Sequence, residues 1–185
     1  MKAKSIDIFL VRHGEATAGW GEDPDPGLST LGGEQAVQAA QRMREHAPLH
    51  IMSSPLLRAQ ETAQPLAQQL GVDVDIDPIF RELPSPAGIA DRREWLSGFM
   101  KQDWQEQNQE ILEWRNGIWD ALFELDRPTV IFTHFMVINA VVGRLTEADE
   151  TVCCVPDNGS ITRLELEGSA LKLVEVGRQH KTLVN

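Results

Sequence analysis

The fold of this chain is decided by the stretch Ile6-Asp7-Ile8-Phe9-Leu10-Val11-Arg12-His13-Gly14-Glu15. An apolar run rich in branched residues is typical of a buried strand, and this run ends abruptly in Arg-His-Gly. The carboxyl ends of strands are where an α/β sheet gathers its ligands. Arg12 offers a permanently charged guanidinium that suits phosphate, and His13 offers a ring nitrogen that can act as a nucleophile. The stretch therefore predicts a ligand site at a buried strand end, with an ordinary strand end and a structural histidine as the alternative.

Composition favours one soluble globular domain, because the 185 residues are 42% hydrophobic and 24% charged. A net charge of −11 disfavours nucleic acid and anionic membranes as partners. No signal peptide is recognisable, and no apolar run is long enough to span a bilayer, so we expect a cytoplasmic protein. The only cysteines, Cys153 and Cys154, are adjacent, which predicts neither a disulfide framework nor a metal site.

Two helices are predicted early in the chain by small apolar residues at helical spacing. Ser29 or Thr30 is expected to cap the first helix, and Pro48 follows its end. Ser54 and Pro55 are typical of the N-cap and first residue of the second helix.

Further strands are predicted from short apolar or alternating runs at His50–Ser53, Val72–Asp77, Thr129–Thr133, Ile161–Leu166 and Leu171–Val176. The last two runs predict a C-terminal β-hairpin, and the run Val72–Asp77 predicts a strand near an edge of the sheet. Because strands and helices alternate from the start, we expect a three-layer α/β/α sandwich with a mostly parallel central sheet. A single domain is expected over residues 1–185, with a helical cap at about 87–125 that roofs the pocket.

Polar side chains follow successive predicted strands at the edge where such sheets bind ligands. Arg12 and His13 follow the first strand, Arg58 lies at a helix start, Glu82 lies in a loop and His134 ends a later strand. Each residue alone has an ordinary alternative as a solvated or structural side chain. Together, in an acidic chain that must concentrate its few cations, they predict an anion site.

These residues lie in motifs spread in order along nearly the whole chain: Leu10–Glu15, Leu28–Gly32, Gln35-Ala36, Ser53–Ala63, Arg81–Leu83, Thr133-His134 and Asn158–Ile161. The motifs resemble those of the histidine phosphatase superfamily, the group that includes the phosphoglycerate-mutase-like phosphatases. The resemblance implies a phosphomonoester hydrolase that needs neither a metal nor another cofactor. It implies a small-molecule phosphomonoester or a phosphorylated protein as substrate.

The resemblance also implies a role for each residue of the site. His13 is the expected nucleophile, and its other ring nitrogen is expected to donate to an acceptor such as a backbone carbonyl. Arg12, Arg58 and His134 are expected to bind the phosphoryl oxygens. Glu82 is the expected general acid and base, with a pKa raised toward neutrality. The catalytic set is therefore His13, Glu82 and His134.

Two positions depart from the family's pattern. Ala16 stands where mutase-type members carry Ser or Thr, and Gly19 stands where they carry Asn. A phosphate-orienting side chain is therefore either missing or supplied by Thr17 or another loop residue. Ala16 is also a feature of the small phosphohistidine-protein phosphatase branch, which generally lacks a loop acid such as Glu82.

Several functions therefore stay open from the sequence. The leading hypothesis is a phosphatase that works through phosphohistidine, and mutase chemistry or a phosphohistidine-protein phosphatase are alternatives within the same family. A weakly active domain that binds phosphorylated ligands is a further alternative. So is a metal-dependent hydrolase that uses His13, His134 and Glu82. The sequence leaves the physiological substrate and the oligomeric state open.

Overall fold

A computed structural model describes residues 5–19 and 23–179. The prediction that the amino terminus carries no signal peptide concerns residues that lie largely outside these ranges. The strands are β1 (Ser5–Arg12), β2 (His50–Ser53), β3 (Asp75–Ile76), β4 (Thr129–Thr133), β5 (Ile161–Glu167) and β6 (Ala170–Glu175). They form one sheet in the order β3-β2-β4-β1-β5-β6. The first four are mutually parallel, whereas β5 is antiparallel to both β1 and β6, so the mostly parallel sheet and the C-terminal hairpin are confirmed.

Helices cover both faces of the sheet, which confirms the predicted α/β/α layering. They are α1 (Thr30–Met43), α2 (Leu57–Leu70), α3 (Arg92–Phe99), α4 (Gln109–Phe123) and α5 (Phe135–Leu145). Successive side chains of a strand point to opposite faces. Ile8 and Leu10 of β1 therefore pack with α4 and α5, while Phe9 and Val11 pack with α1 and α2. Within the described ranges, no helix combines the length and the apolar composition needed to cross a membrane.

The start of α1 matches the prediction, but the start of α2 does not. Ser29 caps α1, because its hydroxyl accepts a hydrogen bond from the Gly32 N–H at 3.0 Å. Helix α2 begins at Leu57, two residues later than Ser54-Pro55 predicted. The physical reason is a contact from a distant loop: the Asp25 carboxylate accepts the Leu57 N–H at 2.8 Å and replaces a local cap.

The predicted strand at Val72–Asp77 is only partly correct. The observed β3 is two residues long, and it lies at the edge of the sheet as expected. Its partner β2 has four residues and offers it only Met52 and Ser53 for pairing. A short edge strand with exposed residues has little buried surface to extend it.

The predicted cap region contains α3, α4 and a 3-10 turn at Trp104–Glu106. Apolar residues of this region pack against the first turns of α5; they are Leu96, Phe99, Trp104 and Ile111, with Phe135, Met136 and Ala140 on α5. The second half of α4 adds Ile118 and Leu122 to the core under the sheet. Within the range 87–125, Arg92 is the residue that lines the cavity described below. One lining residue does not make the region a roof over the pocket, so that role stays a prediction.

Two glycines let the loop after β1 lie directly against the start of α1. A Cβ atom on Gly14 would overlap the backbone of Gly32, and a Cβ atom on Gly32 would overlap the backbone of Glu15. The contact is tied by the Ser29 N–H, which donates to the Glu15 carbonyl at 2.8 Å. This close approach positions the segment that begins at His13.

Gly32→Ala should therefore destabilise the protein, whereas Gly33→Ala should not. The first change forces backbone apart at a packed contact, which typically costs about 1–3 kcal/mol. Gly33 has no atom within 4 Å of an added Cβ, so alanine there should raise the free energy of unfolding by up to about 1 kcal/mol. Urea unfolding of both variants measures the difference, and equal midpoints would contradict the proposed contact.

Candidate active site

The backbone of His13 is fixed from two sides at the carboxyl edge of the sheet. Its N–H donates to the Thr133 carbonyl at the end of β4 at 3.0 Å. Its carbonyl accepts a hydrogen bond from the Asn158 side chain at 3.0 Å. The late motif Asn158–Ile161 therefore serves the site by holding the residue that follows β1.

The imidazole of His13 is held in one tautomer. Nδ1 lies 2.6 Å from the Gly14 carbonyl oxygen, which can only accept, so Nδ1 carries the proton. Arg58 Nε, which can only donate, lies 3.2 Å from Nε2. Nε2 is therefore unprotonated, and its lone pair accepts the Arg58 N–H; an unprotonated Nε2 is what the predicted role requires.

Both histidines of the site are kept neutral by their surroundings. Burial lowers the pKa of His13 well below its ordinary value, and the charges of Arg12 and Arg58 lower it further. Burial likewise lowers the pKa of His134 well below the ordinary value, with smaller effects from His13, Arg58, Arg12 and Arg81. A neutral imidazole is the form that can donate an electron pair.

His134 lies beside His13, and their ring centroids are 5.2 Å apart. The ring is fully buried, and its Nε2 lies 2.7 Å from the Ser54 hydroxyl oxygen. Its Nδ1 has no hydrogen-bond partner within the described part of the chain. Ser54 is a contact that sequence reasoning missed, although its position directly after β2 places it at the same edge as the other site residues.

The two predicted phosphate-binding arginines have different environments. Arg58 is the second residue of α2 and 7% exposed, and its Nη1 lies 3.9 Å from Asp25 Oδ1. Arg12 donates through Nη1 to the Pro156 carbonyl at 2.7 Å, and its guanidinium lies 5.2 Å from the ring centre of Phe135. Its Nε is buried without a partner among the described residues.

Glu82 is buried and held by the backbone on two sides. Its Oε1 accepts the N–H of Leu83 at 3.0 Å and the N–H of Met136 at 3.2 Å. Burial raises the pKa of Glu82, and these hydrogen bonds and the charges of Arg58 and Arg12 offset only part of that rise. A carboxyl group of raised pKa at this position fits the predicted acid and base.

A cavity of about 620 Å³ opens over these residues. It is lined by His13, Ala16, Ala18, Gly19, Asp23, Pro24, Pro26, Leu56, Arg58, Arg81, Glu82, Leu83, Pro84, Ser85 and Arg92. Three of the predicted residues line it directly, while Arg12 and His134 are not part of the lining. Sequence reasoning missed Arg81, Ser85 and Arg92, which reach the cavity through the fold of the loop around Glu82.

The loop after β1 shows that Thr17 does not replace the Asn that is missing at position 19. Thr17 does not line the cavity, and its hydroxyl lies 3.3 Å from the Gly27 carbonyl.

The described side chains include no group of three or more His, Cys, Asp or Glu arranged to hold a metal ion.

Comparisons with known proteins identify the family of this chain. The family model of the histidine phosphatase superfamily (branch 1) matches residues 8–179. The probable phosphoglycerate mutase GpmB of Cronobacter sakazakii is 32% identical over 165 residues, which are 76% of this chain and 74% of that protein. The probable phosphoglycerate mutase GpmB of Escherichia fergusonii is 39% identical over 84 residues, 42% of this chain and 38% of that protein.

Solved structures share the fold. The mycobacterial glucosyl-3-phosphoglycerate phosphatase complexed with VO3 has a TM-score of 0.72 at 25% identity, over 95% of this chain and all of that one (100%). The phosphoserine phosphatase of Entamoeba histolytica in complex with 3-phosphoglyceric acid has a TM-score of 0.74 at 22% identity, over 94% of this chain and 98% of that one. With a family match that runs from β1 to the last described residue, this chain belongs to the histidine phosphatase superfamily.

Proposed function

We propose that this protein hydrolyses phosphomonoesters through a phosphohistidine intermediate on His13. The observation that carries the proposal is the pair of contacts on the imidazole, from the Gly14 carbonyl to Nδ1 and from Arg58 to Nε2. They hold a neutral ring with its nucleophilic lone pair beside a permanent cation, at the wall of a cavity. That is the arrangement that nucleophilic attack on a phosphoryl group requires.

In the first step, the Arg58 Nε–H leaves Nε2 for a phosphoryl oxygen, the freed Nε2 lone pair attacks phosphorus, and the ester P–O bond breaks. The departing oxygen takes the proton of Glu82, whose raised pKa favours the protonated form. The phosphoryl group is then bonded to Nε2, with Arg58, Arg12 and the ring of His134 as the groups that stabilise its oxygens. Such charge neutralisation in a site shielded from water is worth more than the same contacts in solution.

In the second step, water attacks phosphorus and the P–N bond breaks. Glu82, now ionised, takes a proton from that water and returns to its starting form. Inorganic phosphate leaves, and the lone pair returns to Nε2. This chemistry needs no metal, because Arg12 and Arg58 supply permanent positive charge.

Phosphoglycerate-mutase-type transfer is the second candidate, since the curated relatives carry that name at 32% and 39% identity. In a mutase, the phosphoryl group on His13 returns to the organic substrate instead of passing to water. Release of inorganic phosphate from an aryl phosphate distinguishes the two, because only the hydrolase completes that reaction. A structural relative named as a phosphatase and complexed with VO3 supports the hydrolase.

The covalent intermediate should be detectable directly. Enzyme quenched during turnover of a labelled phosphomonoester should carry phosphate on His13 that is labile in acid and stable in alkali, as expected of a phosphoramidate. His13→Ala should carry none and should lose at least about 10³-fold in kcat. Wild-type turnover without any labelled enzyme, or activity lost on addition of a chelator, would contradict this mechanism.

Glu82→Gln should separate substrates by their leaving groups. An alkyl phosphate needs a proton on its leaving oxygen, so the variant should lose about 10²–10⁴-fold in kcat/KM. A nitrophenyl phosphate has a leaving group that departs as an anion, so its loss should be much smaller. Glu94→Gln changes an exposed carboxylate in the first turn of α3 and serves as the matched control, with unchanged kinetics. An equal loss on both substrates would exclude Glu82 as the acid.

The pH profile should follow the two opposite pKa shifts. Because the pKa of His13 is lowered, the nucleophile should stay neutral on the acid side of the ordinary histidine value. Because the pKa of Glu82 is raised, kcat/KM for an alkyl phosphate should fall only as pH rises through that raised value. Kinetics from about pH 4 to about pH 9 test this, and the basic limb should be absent in Glu82→Gln.

A further inference from the structure

Two further arginines line the cavity outside the proposed phosphoryl site. Arg92 begins α3, and its Nη2 donates to the Leu83 carbonyl at 3.2 Å while its Nη1 donates to the Ser85 hydroxyl. Arg81 precedes Glu82, and its carbonyl accepts the Trp114 indole N–H at 3.1 Å, which leaves its exposed side chain at the cavity wall. Both acceptors of Arg92 are neutral.

Neither arginine has its charge paired within the described residues. Arg58 faces Asp25 at 3.9 Å, but no salt bridge of the described chain includes Arg81 or Arg92. Their charges reach the phosphoryl site: burial lowers the pKa of Arg58, and Arg92 and Arg81 lower it further. Cations therefore accumulate here in a chain whose net charge is −11, and such accumulation is unfavourable unless an anion binds.

The charge of a phosphomonoester alone does not account for these side chains. In the proposed mechanism, Arg58 and Arg12 receive the phosphoryl oxygens. Glu82 marks the leaving-group end of the site, since it protonates the departing oxygen. Arg81 and Arg92 line the same cavity as Glu82, and Arg92 is bonded to the carbonyl of Leu83, so the alcohol portion of a substrate that contacts Glu82 can reach both cations.

We propose that Arg81, Arg92 and Ser85 form a subsite for a second anionic group, a carboxylate or a phosphate, on the alcohol portion of the substrate. This assignment rests on the proposed hydrolase function and names its substrate class: small phosphomonoesters with a second acidic group. The planar guanidinium fork binds either anion with paired hydrogen bonds. Because Leu83 and Ser85 hold Arg92 through neutral acceptors, the side chain is oriented without losing its charge to a carboxylate of the protein.

The size of the cavity agrees with a small substrate. A volume of about 620 Å³ is typical of pockets that enclose small molecules. Among the described lining residues, three arginines stand against the carboxyl groups of Asp23 and Glu82, which leaves an excess of positive charge. That excess matches an ester that brings a further negative charge besides its phosphoryl group.

Matched pairs of substrates test the subsite. We would measure kcat/KM for 3-phosphoglycerate against glycerol 3-phosphate, which differ in one carboxylate, and for fructose 1,6-bisphosphate against fructose 6-phosphate, which differ in one phosphate. The wild type should prefer the member with two anions by at least about tenfold in one or both pairs, as charge-assisted hydrogen bonds predict. The pair that shows the preference identifies the anion.

Variants then assign the preference to residues. Arg92→Gln and Arg81→Gln should each reduce the ratio severalfold, and the double variant should bring it close to one. Arg92→Lys keeps the charge without the fork and should give an intermediate ratio. Arg93→Gln is the matched control, since Arg93 is the next residue of α3, is exposed and lies outside the cavity lining. Its ratio should equal that of the wild type.

Binding separates failure of the subsite from failure of the proposed function. If no phosphomonoester is hydrolysed, the hydrolase is wrong, and the subsite is judged by calorimetric titration of the wild type and His13→Gln with the same compounds. Tighter binding of the doubly anionic member, lost in the double variant, supports it. Equal dissociation constants within both pairs, no binding of any compound, or a preference that survives Arg81→Gln with Arg92→Gln overturns it.

Discussion

One buried imidazole, kept neutral and held in a single orientation, is the constraint on which the site depends. His13 is enclosed between an acceptor that can only receive its Nδ1 proton and a guanidinium that can only donate to Nε2. Protonating the ring would add a third charge beside Arg12 and Arg58 in a space that water barely reaches. The arginines and the neutral ring therefore support each other: the cations keep the ring neutral, and the neutral ring tolerates the cations.

The parallel sheet brings the two histidines together by register alone. Arg12 of β1 pairs with Thr133 of β4, so the next residue of each strand is a histidine at the same level of the sheet. Neighbouring strands lie about 4.8 Å apart, and the ring centroids of His13 and His134 are 5.2 Å apart. A slip of one residue between β1 and β4 would separate the rings and turn one side chain to the other face. The apolar side chains that bury β1 on both faces also hold its register with β4, and this register sets the geometry of the site.

The sequence predicted the elements whose signal is local and missed those set by distant contacts. Strand β1 and its polar end could be read directly, because apolar branched residues and the Arg-His-Gly end occur in one short stretch. The start of α2 could not, because its cap comes from Asp25 across the loop. Arg92 was missed for a similar reason: nothing in its neighbourhood along the chain indicates that it reaches back to the carbonyl of Leu83.

Burial acts in opposite directions on the two groups that the proposed mechanism needs, and this opposition makes the mechanism workable. In water, glutamate loses its proton near pH 4.3 and histidine near pH 6.5. At any pH, fewer than about 1% of such pairs therefore combine a neutral imidazole with a protonated carboxyl. Burial lowers the pKa of His13 and raises the pKa of Glu82, which moves the two values toward each other or past each other. The nucleophile and the acid can then be in their active forms at the same pH. The backbone N–H groups on Glu82 limit how far its pKa rises, so the same carboxyl can also ionise and take the proton of the attacking water.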